Sequence, residues 1–493
     1  MTENNILDKI FKAYDIRGIY PGEINEGIVA KIAYAMVQFL KPKKIVLAQD
    51  ARVSSKPLVE SIQNSLVGLG VDVILIGQTT TPLFYFAVNE LNVDGGIMVT
   101  ASHNPRKFNG LKMVKMGAVA IGGNNGLMEI KQIIKDGLPD MSYEPPGKLE
   151  KKDLSEEYID FLITNSWFKS LKINQYGEIS WEPNPYTFKA VVDSGNGMAG
   201  FLLPRLFEKI KFEITPLFWE IDGSFPNRDP DPTKLENLSA LQSKVLKEGA
   251  DLGVAFDGDA DRIMFLDRFG NFIRTDCIGL LLAQQFNLPL VKESKSAKRI
   301  VYDLTMSHSI PEFLDQWGIA SVKSRVGHPF LKQKMRETDA DMAVELSGHY
   351  FWKEMNYAES TLLTMLRIFS ILAKTQKPLD QLVKPFQKYY HSGEINFEID
   401  KLNQVEIFNE LKIRYKDAKI DDLDGLTFDY WDLLTSFDLT QDRPLGSSWW
   451  FNVRPSNTEP ILRLVVEAGT ESLMKEKIVE IQEIIKKTRL NAG

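Results

Sequence analysis

The chain has 493 residues, 44% of them hydrophobic and 25% charged, with a net charge of −7. That length exceeds what one hydrophobic core organises, so three or four domains are expected, and the acidic balance without a basic arm or stripe gives no reason to expect nucleic acid as a partner. Cys277 is the one cysteine, which excludes a disulfide framework and a cysteine-based zinc site, and no segment reaches the roughly 18 uncharged apolar residues of a membrane helix.

The opening "MTENNILDKIFKAYDIRG" lacks the long apolar core of a secretory signal, so a soluble cytoplasmic protein is expected. Short β-branched runs then read as buried strands: "KKIVLAQD" (43–50), "VDVILIG" (71–77), "GGIMVTAS" (95–102), "FKAVVDSG" (188–195) and "RIVYDLT" (299–305). "SSKPLVESIQNSLVGLG" (54–70) reads as an intervening helix, with serines to cap it and Gly70 to stop it. Such alternation predicts repeated βαβ units in mixed or mostly parallel sheets. The pattern restarts near Tyr186 and again near Ala297, and the polar stretch 140–153 reads as a linker. After about residue 385 come antiparallel-strand signals, "YHSGEINFEID" and "GLTFDYWDLL", and a final helix over 471–488 follows "ILRLVVEAG". The expected domains are therefore 1–150, 151–271 and 272–385, all α/β, and 386–493, α+β.

"MVTASHNP" (98–105) places Ser102 beside His103 at a strand end, and Asn104-Pro105 forces a turn. Adjacent side chains of an extended segment point apart, and no G-x-S-x-G elbow exists, so by itself the Ser102–His103 loop reads as a capped turn before it reads as a nucleophile. "VDSGNGMAG" holds Gly195, Gly197 and Gly200 after a strand, with Glu220 about twenty residues further on; this is the signature of a dinucleotide-binding oxidoreductase, but equally of any tight strand-to-helix turn.

"GVAFDGDADRIMF" (253–265) puts Asp257, Asp259 and Asp261 at alternate positions behind an apolar strand. On an extended turn they point to one side, where like charges repel unless a cation neutralises them. Hard oxygen donors suit Mg²⁺ or Ca²⁺. An EF-hand is excluded, because Arg262 and Arg268 stand where its glycine and glutamate belong. "VELSGHYFWKE" (344–354) aims Glu345, Ser347 and His349 one way on an extended loop, apt for sugar hydroxyls, with Gly348 for a bend. "NVRPSNTEPILRL" (452–464) combines Arg454 with Ser456, Asn457 and Thr458, either a phosphate cradle or a polar turn with a salt-bridged arginine.

Four loops in this order, TASHNP, DGDADR, E-x-S-G-H and RPSNTEP, one per expected domain, resemble those of the α-D-phosphohexomutase family, as do "FKAYDIRG" (11–18) and "NGLK" (109–112). The resemblance spans nearly the whole chain. It implies three related three-layer α/β modules plus a TATA-binding-protein-like α+β domain around a central cleft. It further implies that Ser102 carries a phosphoryl group and shares Mg²⁺ with Asp257, Asp259 and Asp261, while Arg262 offsets developing charge. Lys112, His103 and His349 are the candidates for the general base or for tuning it, and Tyr14 and Arg17 line the same site. Glu345, Ser347 and His349, with Gly327 and His328 of "RVGH" (325–328), would grip the sugar. Arg454, Ser456, Asn457 and Thr458 would clamp the non-reacting phosphate. Hexose 1-phosphate would gain a second phosphate from Ser102, turn as the 1,6-bisphosphate, and return the other. The fourth domain would close over the substrate and exclude water.

Two segments depart from the family pattern. Thr305 stands where the family usually has Lys or Arg, and "YAES" supplies Ala358 and Glu359 where paired aspartates are common. Asn457 and the TASHNP form look more like phosphomannomutase/phosphoglucomutase enzymes than phosphoglucosamine mutases, which remain the alternative within the family. No residue identifies the reader of the 2-hydroxyl, so dual specificity for mannose and glucose is expected, and the partners are sugar phosphates. A monomer or weak homo-oligomer is expected. The remaining alternatives are the dinucleotide enzyme and a catalytically silent sugar-phosphate-binding homologue, the latter opposed by the intact set of Ser102 and three aspartates.

Overall fold

The computed structural model describes residues 2–138, 145–168, 171–173, 179–181, 188–287, 298–398, 404–431, 447–456 and 461–491. Three of its sheets repeat one arrangement. In the first, the strand Lys44–Gln49 lies between two parallel neighbours, Asp72–Gln78 and Gly95–Val99, and the latter pairs antiparallel with Phe108–Lys115. In the second, Lys189–Asp193 lies between Glu213–Leu217 and Leu252–Phe256, and the latter pairs antiparallel with Ile263–Asp267. In the third, Arg299–Asp303 lies between Ala320–Ser324 and Met342–Val344, followed antiparallel by Tyr350–Trp352. The central strands are continuous apolar runs because helices cover both faces of such sheets. The expected module repeat is therefore present.

One apolar cluster runs from Val46 and Phe84 through Phe256 and Ile300 to Phe386, so the three modules share a core and are held together by it. The helix Thr361–Thr375 belongs to this seam and is buried along nearly its whole length, from Thr361 to Leu372. Ser360 caps it, accepting from the Leu363 N–H at 3.4 Å.

Two local expectations are corrected. The helix Ser55–Gly68 has no side-chain cap: Ser54 and Ser55 instead accept from Asn109 Nδ2 at 2.8 and 3.0 Å, tying the helix start to the neighbouring strand. The linker stretch contains the strand Leu149–Lys151, which adds in parallel to Asp72–Gln78 at the sheet edge.

Beyond residue 389 a six-stranded antiparallel sheet has Ile461–Ala468 and Trp449–Pro455 at its centre, packed against the helices Gln404–Arg414 and Glu471–Asn491. The α+β character expected there is present. The sheet touches the third module where His391 Nε2 meets the Thr305 carbonyl at 2.8 Å and where Asp424 accepts from Val326 N–H at 3.1 Å.

The three loops of interest follow equivalent strands, Gly95–Val99, Leu252–Phe256 and Met342–Val344, at their C-terminal ends. That is where α/β sheets present ligand sites.

Candidate active site

The first loop leaves its strand through Thr100, whose hydroxyl accepts from the Ser102 N–H at 2.9 Å. Ser102 is buried and adopts φ +51°, so the segment is not extended there. This corrects the expectation that Ser102 and His103 point apart: Ser102 Oγ lies 3.1 Å from His103 Nδ1. Ser102 Oγ also donates to Asp257 Oδ2 of the second module at 2.9 Å. Gly258 permits this approach, since a Cβ there would stand 2.6 Å from the Ser102 carbonyl oxygen.

The aspartates converge, but not on an extended turn. Ala260 takes φ +58°, and Asp257 Oδ1 reaches forward to the N–H groups of Asp261 and Arg262, at 2.9 and 3.1 Å. Ligand atoms of Asp257, Asp259 and Asp261 all lie within 4.8 Å of one another, and all three residues are buried. Burial, then Asp261 and Asp259, push the Asp257 carboxyl well up. Lys112 Nζ donates to Asp259 Oδ2 at 2.7 Å and also contacts Asp261 Oδ2. Against burial, these two carboxylates hold its ammonium form. Asp259 Oδ1 is buried without a hydrogen-bond partner, and a cluster of hard oxygens with an open acceptor fits a small divalent cation such as Mg²⁺.

The third loop brings Glu345, Ser347 and His349 together through a bend at Gly348, φ +89°. His349 Nδ1 lies 2.9 Å from Glu345 Oε2 and 2.8 Å from Ser347 Oγ, and its Nε2 lies 3.3 Å from Asp261 Oδ1. Burial opposes charge on this imidazole, but Asp261 and Glu345 outweigh it and raise its pKa to about 9. His328 stands 6.1 Å away, ring to ring, and is kept neutral by burial and by Lys332 and Lys112. Tyr14 Oη donates to the Val326 carbonyl at 2.9 Å, and Gly327 leaves room for its ring. Arg17 binds Asp15 through Nε and NH2 and reaches Ala101 O and Asn104 Oδ1, which places it against the first loop. His103 is also kept neutral, by burial and then by Arg262 and Arg17.

In the fourth loop Arg454 is buried, paired with Glu394 at 2.5 Å. The same glutamate pairs at 2.8 Å with Arg463, which faces Arg454 across the two central strands. Sequence reading missed Arg463 and Glu394, though "RPSNTEPILR" holds a second arginine on the partner strand. Ser456 donates its N–H to the Ile461 carbonyl at 2.8 Å, and Asn457 and Thr458 lie outside the described residues.

Residues 8–139, 156–270 and 274–389 match domains I, II and III, described as phosphoglucomutase/phosphomannomutase, alpha/beta/alpha, and 394–484 match the C-terminal domain of the same family. The chain belongs to the phosphoglucomutase/phosphomannomutase family. It is 36% identical over 485 residues to a phosphomannomutase of Methanocaldococcus jannaschii, spanning 97% of this chain and 98% of that one. It is 34% identical to a phosphomannomutase of Escherichia coli K12, spanning 95% and 96%. A solved family protein from Burkholderia thailandensis superposes with a TM-score of 0.80 at 28% identity, over 99% of this chain and 98% of that one.

Against the family pattern, Thr305 supplies no charge to the cleft: it is buried and hydrogen-bonded to Asp303 Oδ1. Glu359 pairs at 2.6 Å with Lys332, both buried beneath Asp261 and His349. The dinucleotide reading loses its support in the glycine turn. A Cβ on Gly195 would meet the Arg228 guanidinium at 2.5 Å, and one on Gly197 the Gly258 carbonyl at 2.7 Å. Both glycines are thus accounted for by close packing within the turn. No helix among the described residues is long and apolar enough to cross a membrane.

Proposed function

We propose that the chain interconverts hexose 1-phosphates and hexose 6-phosphates, of mannose and glucose, with Ser102 as the phosphoryl carrier and a hexose 1,6-bisphosphate as the intermediate. The observation that carries this reading is the contact of Ser102 Oγ with Asp257 Oδ2, a hydroxyl of one module held against a carboxylate cluster of the next. Asp257, Asp259 and Asp261 would hold Mg²⁺, with an oxygen of the Ser102 phosphate completing the set. When bound, that ion supplies positive charge to the phosphoryl oxygens.

The phosphoryl group leaves Ser102 Oγ for the 6-hydroxyl of hexose 1-phosphate, and the hydroxyl proton passes to a base in the cleft. The bisphosphate turns, and the phosphate at position 1 returns to Ser102, leaving hexose 6-phosphate. Such transfer has a loose transition state, so positioning and charge do most of the catalysis. Arg262, following the last aspartate, meets the developing charge. Without the ion, Asp259 and Asp261 favour the ammonium of Lys112, Asp261 and Glu345 favour the protonated His349, and burial disfavours charge on His103; all three stay candidates for the base.

Glu345, Ser347 and His349 present an acceptor, a hydroxyl and a charged donor to the sugar in either orientation, with Gly327, His328, Tyr14 and Arg17 around them. Arg454, with Ser456, Asn457 and Thr458, would hold the phosphate that is not reacting. A coupled assay on mannose 1-phosphate and glucose 1-phosphate with Mg²⁺ and a trace of bisphosphate tests the proposal. Conversion of at least one sugar to its 6-phosphate is expected, and no conversion of either overturns it.

A further inference from the structure

Three aspartates have no part in that scheme: Asp50, Asp193 and Asp303. Each stands at the end of the central strand of its module, and each is buried. In all three, Oδ1 accepts the N–H two residues further on, from Arg52 at 3.0 Å, Gly195 at 2.7 Å and Thr305 at 2.7 Å. The same side-chain turn is thus built three times at equivalent places.

The other oxygen reaches toward the functional loop of its own module. Asp50 Oδ2 accepts from Arg52 Nε at 3.0 Å, and Arg52 turns its remaining four donors on backbone carbonyls of the first loop. These are Ser102 at 2.7 Å and Asn104 at 2.6 Å through NH2, and Pro105 at 3.0 Å and Phe108 at 3.1 Å through NH1. All five guanidinium donors are used, and the loop is wound around one buried cation. Asp193 Oδ2 accepts from Arg228 Nε at 2.7 Å, and Arg228 NH2 donates at 2.7 Å to the carbonyl of Phe256, the residue before the metal-loop aspartates. Its NH1 donates to the Asp229 carbonyl at 3.1 Å. In the third module no arginine intervenes, and Asp303 Oδ2 accepts directly from the N–H of Leu346, between Glu345 and Ser347, at 2.6 Å.

A buried ion pair adds little net stability over an apolar pair of the same volume. What a rigid guanidinium or carboxylate does add is a fixed position for the backbone it binds. We infer that Asp50 with Arg52, Asp193 with Arg228, and Asp303 are positioning residues, one brace per module, which separately fix the serine loop, the metal loop and the sugar loop. This rests on the mutase reading above.

The braces act on different loops, so loosening each moves a different quantity. Arg52→Lys, Arg228→Lys and Asp303→Asn are compared with the wild type for kcat, KM for hexose 1-phosphate, and Mg²⁺ affinity by calorimetry. Arg52→Lys is expected to lower kcat by about tenfold or more, with KM and Mg²⁺ affinity little changed. Arg228→Lys should weaken calorimetric Mg²⁺ binding by roughly tenfold. Asp303→Asn should raise KM by roughly tenfold and leave kcat near that of the wild type. Where a variant fails to fold, Ser55→Ala, which removes the hydroxyl that donates to Asp50 Oδ1 at 2.6 Å, Asp193→Asn and Thr305→Val loosen the same three braces in turn.

An active wild type whose variants all shift the same quantity, or shift none, overturns the inference. A wild type inactive on both sugar phosphates overturns the mutase reading instead. The calorimetric arm then still decides the second brace, which fails if Arg228→Lys binds Mg²⁺ as the wild type does.

Discussion

Ser102 Oγ and Asp257 Oδ2 are hydrogen-bonded at 2.9 Å although 155 residues separate them in the chain. The contact exists because the strands Gly95–Val99 and Leu252–Phe256 end at a shared cleft and Gly258 lets the two loops interlock. Asp257 has two tasks: Oδ1 organises its own turn, and Oδ2 faces the serine. Asp257→Asn keeps an oxygen for the turn and removes the charge. Turnover should fall by roughly 10²–10³-fold with the thermal midpoint little changed, by analogy with loss of one group that stabilises transition-state charge. Steady-state kinetics beside a melting curve checks it.

Lys112 neutralises Asp259 and Asp261 from inside the protein. Lys112→Met leaves two buried carboxylates without that cation, a change that costs about 3–5 kcal/mol for a buried pair broken on one side. A divalent cation at the same carboxylates would replace part of the lost charge. Urea unfolding should therefore show a larger loss of stability in EDTA than in Mg²⁺, whereas equal losses would mean that the ion does not bind there.

His349 gives the stability a pH signature. Its pKa is about 9 in the folded chain against an ordinary 6.5, so the protonated form is favoured by folding. The contribution is complete below pH 6.5 and disappears as pH rises through about 9; its size is about 3 kcal/mol. In EDTA, the stability gap between the wild type and His349→Gln should narrow over that window. A gap independent of pH would show that the imidazole is not held as a cation by Asp261 and Glu345.

The pair Lys332–Glu359, 2.6 Å apart with the Lys332 ammonium 3.9 Å from the Tyr85 ring centroid, lies in the seam between modules one and three. Glu359→Gln strands a buried ammonium and should destabilise by about 3 kcal/mol, while Lys332→Met combined with Glu359→Leu should recover most of that loss. Chemical denaturation of the two variants tests this directly.

The loops were legible in the sequence because their chemistry needs residue combinations that ordinary turns rarely assemble, placed after apolar strands. The module repeat was legible because buried parallel strands leave unbroken β-branched runs such as "KIVLA" and "KAVVD". Arg52 and Arg228 were not, since their acceptors lie tens of residues away and come near only when neighbouring strands align. The turn at Ser102 was misread because a positive φ at a serine has no propensity signal. Residues 149–151 looked like linker because a polar edge strand carries no apolar run, and it forms only by pairing with Asp72–Gln78.

Incubation of the Mg²⁺-supplied protein with hexose 1,6-bisphosphate radiolabelled in its phosphates, followed by peptide mapping, interrogates the phosphoryl carrier itself. Label on the peptide containing Ser102, exchangeable into hexose 6-phosphate, is the predicted result, with Ser102→Ala both unlabelled and inactive. Label on another residue, or sustained turnover by Ser102→Ala, would contradict it.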